Sequence, residues 1–115
     1  MSAVHTSVGE PLTGELLRNY FRNLVNQFFK ILPMRENGED SLCVYMTSLQ
    51  AELIGCKSLI PDIRENSLYL TLLAILQYLI DNPECSITEV RREVFKAISV
   101  CNKLKSLYAE TEVSE

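Results

Sequence analysis

Apolar and polar residues recur along most of the chain with the spacing of an α-helix. Between residues 13 and 32, apolar pairs return every three or four positions and polar residues fill the gaps. This spacing places the apolar side chains on one face of a helix. It predicts a first helix over residues 13–32, with Thr13 as N-cap and Pro33 as the residue that ends it, because proline lacks an amide hydrogen.

The next segment has a single apolar stripe with alternating spacings of four and three. It predicts a second helix that opens near Asp40 or Ser41. Gly55 lies inside this segment, where glycine costs about 1 kcal/mol relative to alanine. Either a neighbouring segment packs closely there or the helix is weak. The stripe consists of Leu42, Met46, Leu49, Leu53, Cys56 and Ile60.

The segment 68–80, LYLTLLAILQYLI, is almost entirely apolar. A helix that is apolar on all sides is a buried one, and this run is shorter than the roughly 20 residues that span a bilayer. We therefore predict a buried third helix. Asp62 and Glu65 have capping-box spacing at its start, and the helix should stop by Asp81 because Pro83 follows closely.

A fourth helix is predicted after Pro83. Ser86 and Glu89 form a capping box, in which the serine hydroxyl accepts a hydrogen bond from the backbone amide three residues later. Phe95 and Ile98 widen the apolar stripe that follows. The stripe itself consists of Ile87, Val90, Val94, Ala97, Cys101, Leu104 and Tyr108.

Four helices of similar length with short connections predict an all-α fold, an antiparallel four-helix bundle with a buried, all-apolar third helix. The 115 residues suit one domain. We assign the bundle to residues 13–108, a flexible leader to residues 1–12 and an acidic flexible tail to residues 109–115.

The composition is that of a folded globular protein, with 47% apolar residues, 23% charged residues and a net charge of −4. The first ten residues lack the features of a secretory signal, so we expect a cytoplasmic protein with reduced thiols. The four cysteines are widely spaced and the only histidine is His5, so no zinc site is expected. Cys43 and Cys101 occupy apolar-stripe positions, where cysteine acts as a small hydrophobic residue.

The sequence contains no recognisable catalytic or cofactor-binding constellation. It has no glycine-rich phosphate loop, no Glu-x-x-His pair and no GxSxG motif. We therefore expect a non-enzymatic protein without cofactor, metal or small-molecule substrate. Binding to another macromolecule is the remaining class of function.

Helix one offers a candidate interaction surface. Its outer face carries Arg18, Arg22 and Lys30, which could contact an acidic partner or belong to an ordinary solvated face. Its aromatic residues exceed what one side of a small bundle needs, so Tyr20 and Phe29 could remain exposed for a partner instead of joining the core. We predict a helical protein-interaction module, accessory or regulatory, that binds a protein partner or a second copy of itself.

Residues 74–108 support an alternative. The segments ILQYLIDNP, SITEVRREVF and KAISVCNKLKSLY resemble helix-turn-helix and winged-helix DNA-binding domains. The resemblance implies a DNA-binding regulator. No turn residue separates Glu93 from Ile98, however, which favours one continuous helix. The DNA contacts that the resemblance implies are Ser99, Asn102, Lys103 and Lys105, with Arg91 and Arg92 near the DNA backbone.

A second resemblance concerns origin. The segments YFRNLVNQFFKILPMRENGE and EVRREVFKAISVCNKL are similar to small all-helical proteins of bacterial prophages and conjugative elements. This resemblance implies an accessory or regulatory protein in a bacterial cytoplasm. It implies no catalytic or binding residue.

Overall fold

The computed structural model describes residues 3–5, 11–60, 63 and 66–113; the side chains of residues 3–5, 11–14, 59 and 108–113 are not described. Within these residues, two strands, β1 and β2, precede five helices, α1 to α5. The strands are Ala3–His5 and Pro11–Thr13, and the helices are Gly14–Phe29, Ile31–Glu36, Leu42–Leu59, Ser67–Asp81 and Ile87–Val113.

The four long helices, α1, α3, α4 and α5, form the predicted all-α bundle. Helix α5 packs most extensively against α1 and also contacts α4, which in turn packs against α3. The apolar stripes of all four meet in one hydrophobic cluster. No buried polar or charged side chain occurs among the residues that the structure describes.

The predicted first helix is divided in two. Helix α1 ends at Phe29, and α2 begins at Ile31 and includes Pro33 in its first turn. The prediction that Pro33 ends the helix is therefore wrong. Proline is tolerated in a first helical turn because its missing amide hydrogen would have no partner there and its fixed φ suits the helix.

Helix α2 ends in a Schellman motif. The Gly38 amide donates to the Arg35 carbonyl at 3.1 Å, and the Glu39 amide donates to the Met34 carbonyl at 3.0 Å. Gly38 has a φ of +64°, a conformation that glycine adopts without steric cost. Asn37 and Gly38 thus form the turn that follows α2.

Helix α3 contains the predicted stripe, with Met46, Leu49 and Leu53 buried. Ser41 is its N-cap residue but makes no side-chain capping bond. Cys43 is exposed, so its assignment to the apolar stripe was wrong. Adjacent residues differ by about 100° around a helix, so Cys43 cannot share the inward direction of the stripe.

The predicted central run forms α4, with one face fully buried. Its N-cap is Asn66, whose side-chain oxygen accepts from the amides of Leu68 at 2.9 Å and Tyr69 at 3.2 Å. The capping pair predicted at Asp62 and Glu65 lies outside the described residues. The fully buried face consists of Tyr69, Leu72, Ile75, Leu76 and Leu79.

Helix α5 begins as predicted. The Ser86 hydroxyl accepts a hydrogen bond from the Glu89 amide at 3.1 Å. From Ile87 the helix continues without interruption to Val113, beyond the predicted end at Tyr108. Its buried stripe includes Val90, Val94, Ala97, Cys101 and Leu104, in agreement with the sequence pattern.

The segment predicted to be a flexible leader contains the two short strands, which pair antiparallel with Ala3 opposite Thr13. The strands lead directly into α1; the side chain of Thr13, the predicted N-cap, lies outside the described residues. The backbone of the predicted tail is helical as far as Val113. Within the described residues, no helix has the length and apolar character needed to cross a membrane.

Gly55 lies inside a helix and Gly38 has a positive φ, so alanine substitutions at the two positions should have opposite effects on stability. A Cβ atom added at Gly55, in the middle of α3, would meet open space. We expect Gly55→Ala to increase the free energy of unfolding by about 0.5–1 kcal/mol, because alanine restricts the unfolded chain and favours the helix. Gly38→Ala should instead destabilise the protein, because φ is positive there. Urea unfolding followed by circular dichroism measures both; a loss of stability in Gly55→Ala would contradict the open site.

Candidate interaction surface

Two exposed residues, Arg22 and Phe29, lie on the outer side of α1. Arg22 and Phe29 are seven residues apart, almost two full turns, so they lie on the same side of the helix. Both are exposed. Phe28, the neighbour of Phe29, is fully buried. The aromatic pair is therefore divided, with one ring in the core and the other, 48% exposed, at the surface.

Phe95 on α5 meets Phe29. Their ring centroids are 6.5 Å apart and the rings are inclined by 70°, an edge-to-face contact. Phe95 is 49% exposed, so the contact covers only part of each ring. The Phe29–Phe95 pair joins the outer sides of the two helices into one surface.

The surface continues along α5 beyond Phe95. Ser99, Asn102 and Ser106 follow at spacings of four, three and four, which keeps them on one side of the helix. All three are exposed. They belong to a shallow groove of about 520 Å³ that is lined by Phe95, Ile98, Ser99, Asn102, Lys103, Ser106 and Leu107. We call this groove, together with Arg22 and Phe29, the α1/α5 surface.

Over residues 14–29 and 87–107, α1 and α5 carry more cations than carboxylates, and two further carboxylates, Glu110 and Glu112, follow near the end of α5. The cations of residues 14–29 and 87–107 are Arg18, Arg22, Arg91, Arg92, Lys96, Lys103 and Lys105, and the carboxylates are Glu15, Glu89 and Glu93. Some of these groups form ion pairs, among them Arg91 with Glu36 at 3.6 Å and Arg92 with Glu93 at 3.5 Å. Both are at least partly exposed, so each contributes little to stability. The α1/α5 surface is therefore apolar at Phe29 and Phe95 and carries positive charge farther along the two helices, at Arg22 and Lys103.

Two of the residues predicted for the interaction surface lie elsewhere. Lys30 lines a different depression between α1 and α3, together with Tyr45 and Glu52. The hydroxyl oxygen of Tyr20 is buried beside Cys56 of α3 and Tyr69 of α4. We therefore exclude Tyr20 and Lys30 from the α1/α5 surface.

The residues that the alternative assigned to DNA all lie on α5, in one uninterrupted helix. Ser99, Asn102 and Lys103 share the exposed groove. Lys105 is half-buried, and Arg91 is directed to Glu36 of α2. The separate supporting and recognition helices of a helix-turn-helix domain do not occur within Ile87–Val113.

Sequence reasoning missed Phe95 as a surface residue. The pattern assigned it to a widened apolar stripe, whereas the structure leaves half of it exposed. The signal was its position: Val94 belongs to the three/four repeat of buried residues, and its neighbour Phe95 is about 100° away around the helix. The same argument separates Phe29 from Phe28.

The hydroxyl groups of Tyr20 and Tyr69 lie next to the Cys56 thiol. The Tyr69 hydroxyl donates to the Leu53 carbonyl at 2.7 Å and thereby links α4 to α3. Burial is the main reason that the pKa values of both tyrosines lie far above their usual range, and the nearby Cys56 thiol adds to the effect. Burial also raises the pKa of Cys101 to about 12. Tyr20, Tyr69 and Cys101 therefore stay protonated in the folded protein at any physiological pH.

No arrangement typical of metal binding is present among the described residues, because no three His, Cys, Asp or Glu side chains converge. What the α1/α5 surface offers is two half-exposed rings, a groove with hydroxyl and amide groups, and cations. These groups can bury an apolar side chain, donate hydrogen bonds and attract negative charge. They are the components of a binding surface.

The two neighbouring phenylalanines test whether the exposed rings serve the fold. Phe28→Ala should lower the free energy of unfolding by about 3–5 kcal/mol, because it removes a fully buried ring. Phe29→Ala should cost about 1 kcal/mol or less, since half of its ring is already in water. Chemical denaturation of the two variants measures the difference. Equal losses would show that Phe29 is a core residue.

Alkaline pH should destabilise the protein through Tyr20, Tyr69 and Cys101. Their folded-state pKa values are raised above the unfolded values of about 10 for tyrosine and 8.5 for cysteine, so only the unfolded chain releases these protons. Stability should be intact below about pH 8.5 and fall above it, by about 1.4 kcal/mol per pH unit for each fully ionising group. Tyr69→Phe should make this decline shallower in urea titrations between pH 8 and 11. If the free energy of unfolding of Tyr69→Phe falls with pH as steeply as that of the unmodified protein, Tyr69 does not contribute to the loss of stability.

Comparison with known proteins yields no relative. No protein-family model, curated protein or solved structure matches this chain. The resemblance to proteins of bacterial prophages and conjugative elements accordingly stays a prediction. The function has to be inferred from the chemistry of the α1/α5 surface.

Proposed function

We propose that this chain is a non-enzymatic helical interaction module that binds an acidic amphipathic helix of a partner protein on its α1/α5 surface. The observation that carries the proposal is the Phe29–Phe95 pair, in which each ring is about half exposed. The proposed role is accessory or regulatory, because binding is the only chemistry assigned to the surface.

The aromatic pair provides the apolar anchor point. A partner side chain placed over Phe29 and Phe95 would remove the remaining ring surface from water, with about 25 cal/mol gained per Å² of apolar area. Aromatic residues near the centre of an interface commonly carry much of the binding energy. The edge-to-face contact holds each ring against the other, so less side-chain freedom is lost on binding.

The cations favour an acidic partner. Arg22 is exposed on α1, and Lys96 and Lys103 are exposed on α5, so the apolar pair has positive charge on both helices. Complementary charge accelerates association and sets orientation more than it increases affinity. The groove is shallow, open and lined by α5 alone, and it extends from Phe95 to Leu107, about three helical turns, so a partner helix laid along α5 would contact it over that length.

Self-association through the same surface is less favourable. A two-fold dimer places the same patch of both copies face to face, so Arg22, Lys96 and Lys103 of one copy would approach those of the other. Like charges at an interface oppose association. A second copy is therefore one of the outcomes that the experiment must distinguish.

The DNA-binding alternative draws on the same cations, because phosphate attracts them as carboxylate does. The continuous α5 lacks the turn on which the helix-turn-helix interpretation depended. Exposed phenylalanine rings at the centre of the patch favour a protein partner, since protein interface cores are enriched in aromatic residues. Duplex DNA is accordingly a competing ligand in the test.

The proposal is tested by titrating ¹⁵N-labelled protein with three probes. The first is an acidic amphipathic peptide of about 18 residues, long enough for about five helical turns. The second is a peptide of identical composition whose apolar residues are spread around the helix, and the third is mixed-sequence duplex DNA. We expect the amphipathic peptide to shift the resonances of α1 and α5 and to bind more tightly than either other probe.

Two matched variants identify the surface. Phe95→Ser should weaken peptide binding by about tenfold or more, equivalent to about 1.4 kcal/mol. Ile54→Ser on α3, a residue that is equally exposed at 49%, should leave binding unchanged. Tighter binding to DNA that does not depend on Phe95, or a dimer in light scattering that Phe95→Ser dissociates, would overturn the proposal.

A further inference from the structure

A separate pocket of about 290 Å³ lies at the end of the bundle where α2, α3, α4 and α5 converge. It is formed by the turn after α2 and the turn between α4 and α5. Neither Phe29 nor Phe95 lines it, so it is distinct from the α1/α5 surface. Its lining includes Ile31, Arg35, Glu39, Asp40, Met46 and Leu79.

The floor of the pocket is apolar. Ile31, Met46, Leu79 and Val90 are each at most 4% exposed and come from four different helices. A cavity of about 150 Å³ with apolar walls is enough to hold benzene. This pocket has about twice that volume and opens to solvent, so it suits an apolar group larger than benzene with one polar end directed outward.

The mouth of the pocket is acidic. Glu39 and Asp40, both exposed, belong to its lining. Asp81 and Glu84 line the depression immediately beside it, which shares Asn82, Pro83 and Cys85 with the pocket. Two carboxylates, Glu39 and Asp40, therefore lie at the pocket itself, and two more, Asp81 and Glu84, lie at the neighbouring depression.

The only cation of the pocket lining that the structure describes is Arg35. Its guanidinium donates a hydrogen bond to the Cys85 carbonyl, which fixes it across the pocket between the two turns. Arg35 thus connects α2 to the turn between α4 and α5. With the carboxylates in excess, the opening attracts cations.

We propose that this pocket binds a small apolar molecule with a protonated amine, the alkyl or aryl part resting on Ile31, Met46 and Leu79 and the ammonium group facing Glu39 and Asp40. An alkyl amine satisfies both halves of the site, because its apolar part leaves water and its charged end stays at the solvated, acidic mouth. The proposal does not depend on the α1/α5 surface.

The test uses three probes of equal chain length and different head group: octylamine, octan-1-ol and octanoate. The protein is labelled with ¹³C in the methionine methyl groups, which report on the site directly. Met46 lines the pocket, whereas Met34 does not. We expect octylamine to shift the Met46 signal without shifting that of Met34, and to bind about tenfold more tightly than octanoate, with octanol between them.

Two pairs of variants locate the ligand. Cys43→Trp places a large ring at the pocket wall and should abolish binding, whereas Val44→Trp, at the neighbouring exposed position outside the lining, should not. Asp40→Asn should reduce the preference for octylamine over octanoate, and Glu52→Gln on α3, away from the pocket, should preserve it.

Equal affinity for the three probes would overturn the assignment of a cationic ligand. Shifts at Met34 as strong as those at Met46, or binding that survives Cys43→Trp in a folded protein, would overturn the site. Absence of binding of all three probes into the millimolar range would overturn the proposal as a whole. Circular dichroism of each variant confirms that it is folded.

Discussion

The bundle depends on the burial of one narrow stripe of α1 against α5. Leu17, Phe21, Leu24 and Phe28 are all at most 1% exposed, and α5 supplies their most extensive neighbour. These two helices are separated by more than fifty residues along the chain. The contact between α1 and α5 is therefore non-local. It can form only when the connections between α3 and α4 and between α4 and α5 reverse the direction of the chain. Because the same two helices also carry Phe29, Phe95 and the cations, the proposed binding surface exists only once this contact has formed.

The periodic patterns predicted the core well and the exposed aromatic residues poorly. A repeat of three and four identifies the inward direction of a helix, so Met46, Leu53, Val94 and Cys101 were assigned correctly. It does not tell how wide the buried stripe is, since that depends on the angle at which neighbouring helices approach. For residues at the edges of the stripe, such as Phe95, burial was therefore either left open or predicted wrongly.

Some helix ends were predicted correctly and others were not, depending on whether the residues that define the end are close together in sequence. Ser86 was correctly identified because its hydroxyl reaches the Glu89 amide within its own turn. Pro33 was misjudged because the sequence does not reveal that a new helix begins two residues earlier. Pairing of residues distant in sequence, such as Phe29 with Phe95 or Arg35 with the Cys85 carbonyl, could not be read from spacing at all. The α1/α5 surface and the pocket both consist of such pairings.

Two tyrosine hydroxyls, that of the buried Tyr69 and that of the partly buried Tyr45, form hydrogen bonds between helices that otherwise pack mainly through apolar side chains. Tyr69 donates to the Leu53 carbonyl and connects α4 to α3, while Tyr45 donates to the Gln27 carbonyl at 2.8 Å and connects α3 to α1. Apolar stripes repeat with each turn, so two helices that slide past one another by one turn, about 5.4 Å, still present apolar faces to each other. A hydrogen bond to one particular carbonyl does not survive that displacement. The hydroxyls therefore select a single register from several that hydrophobic burial alone would tolerate, and they fix how far Phe29 lies along the bundle.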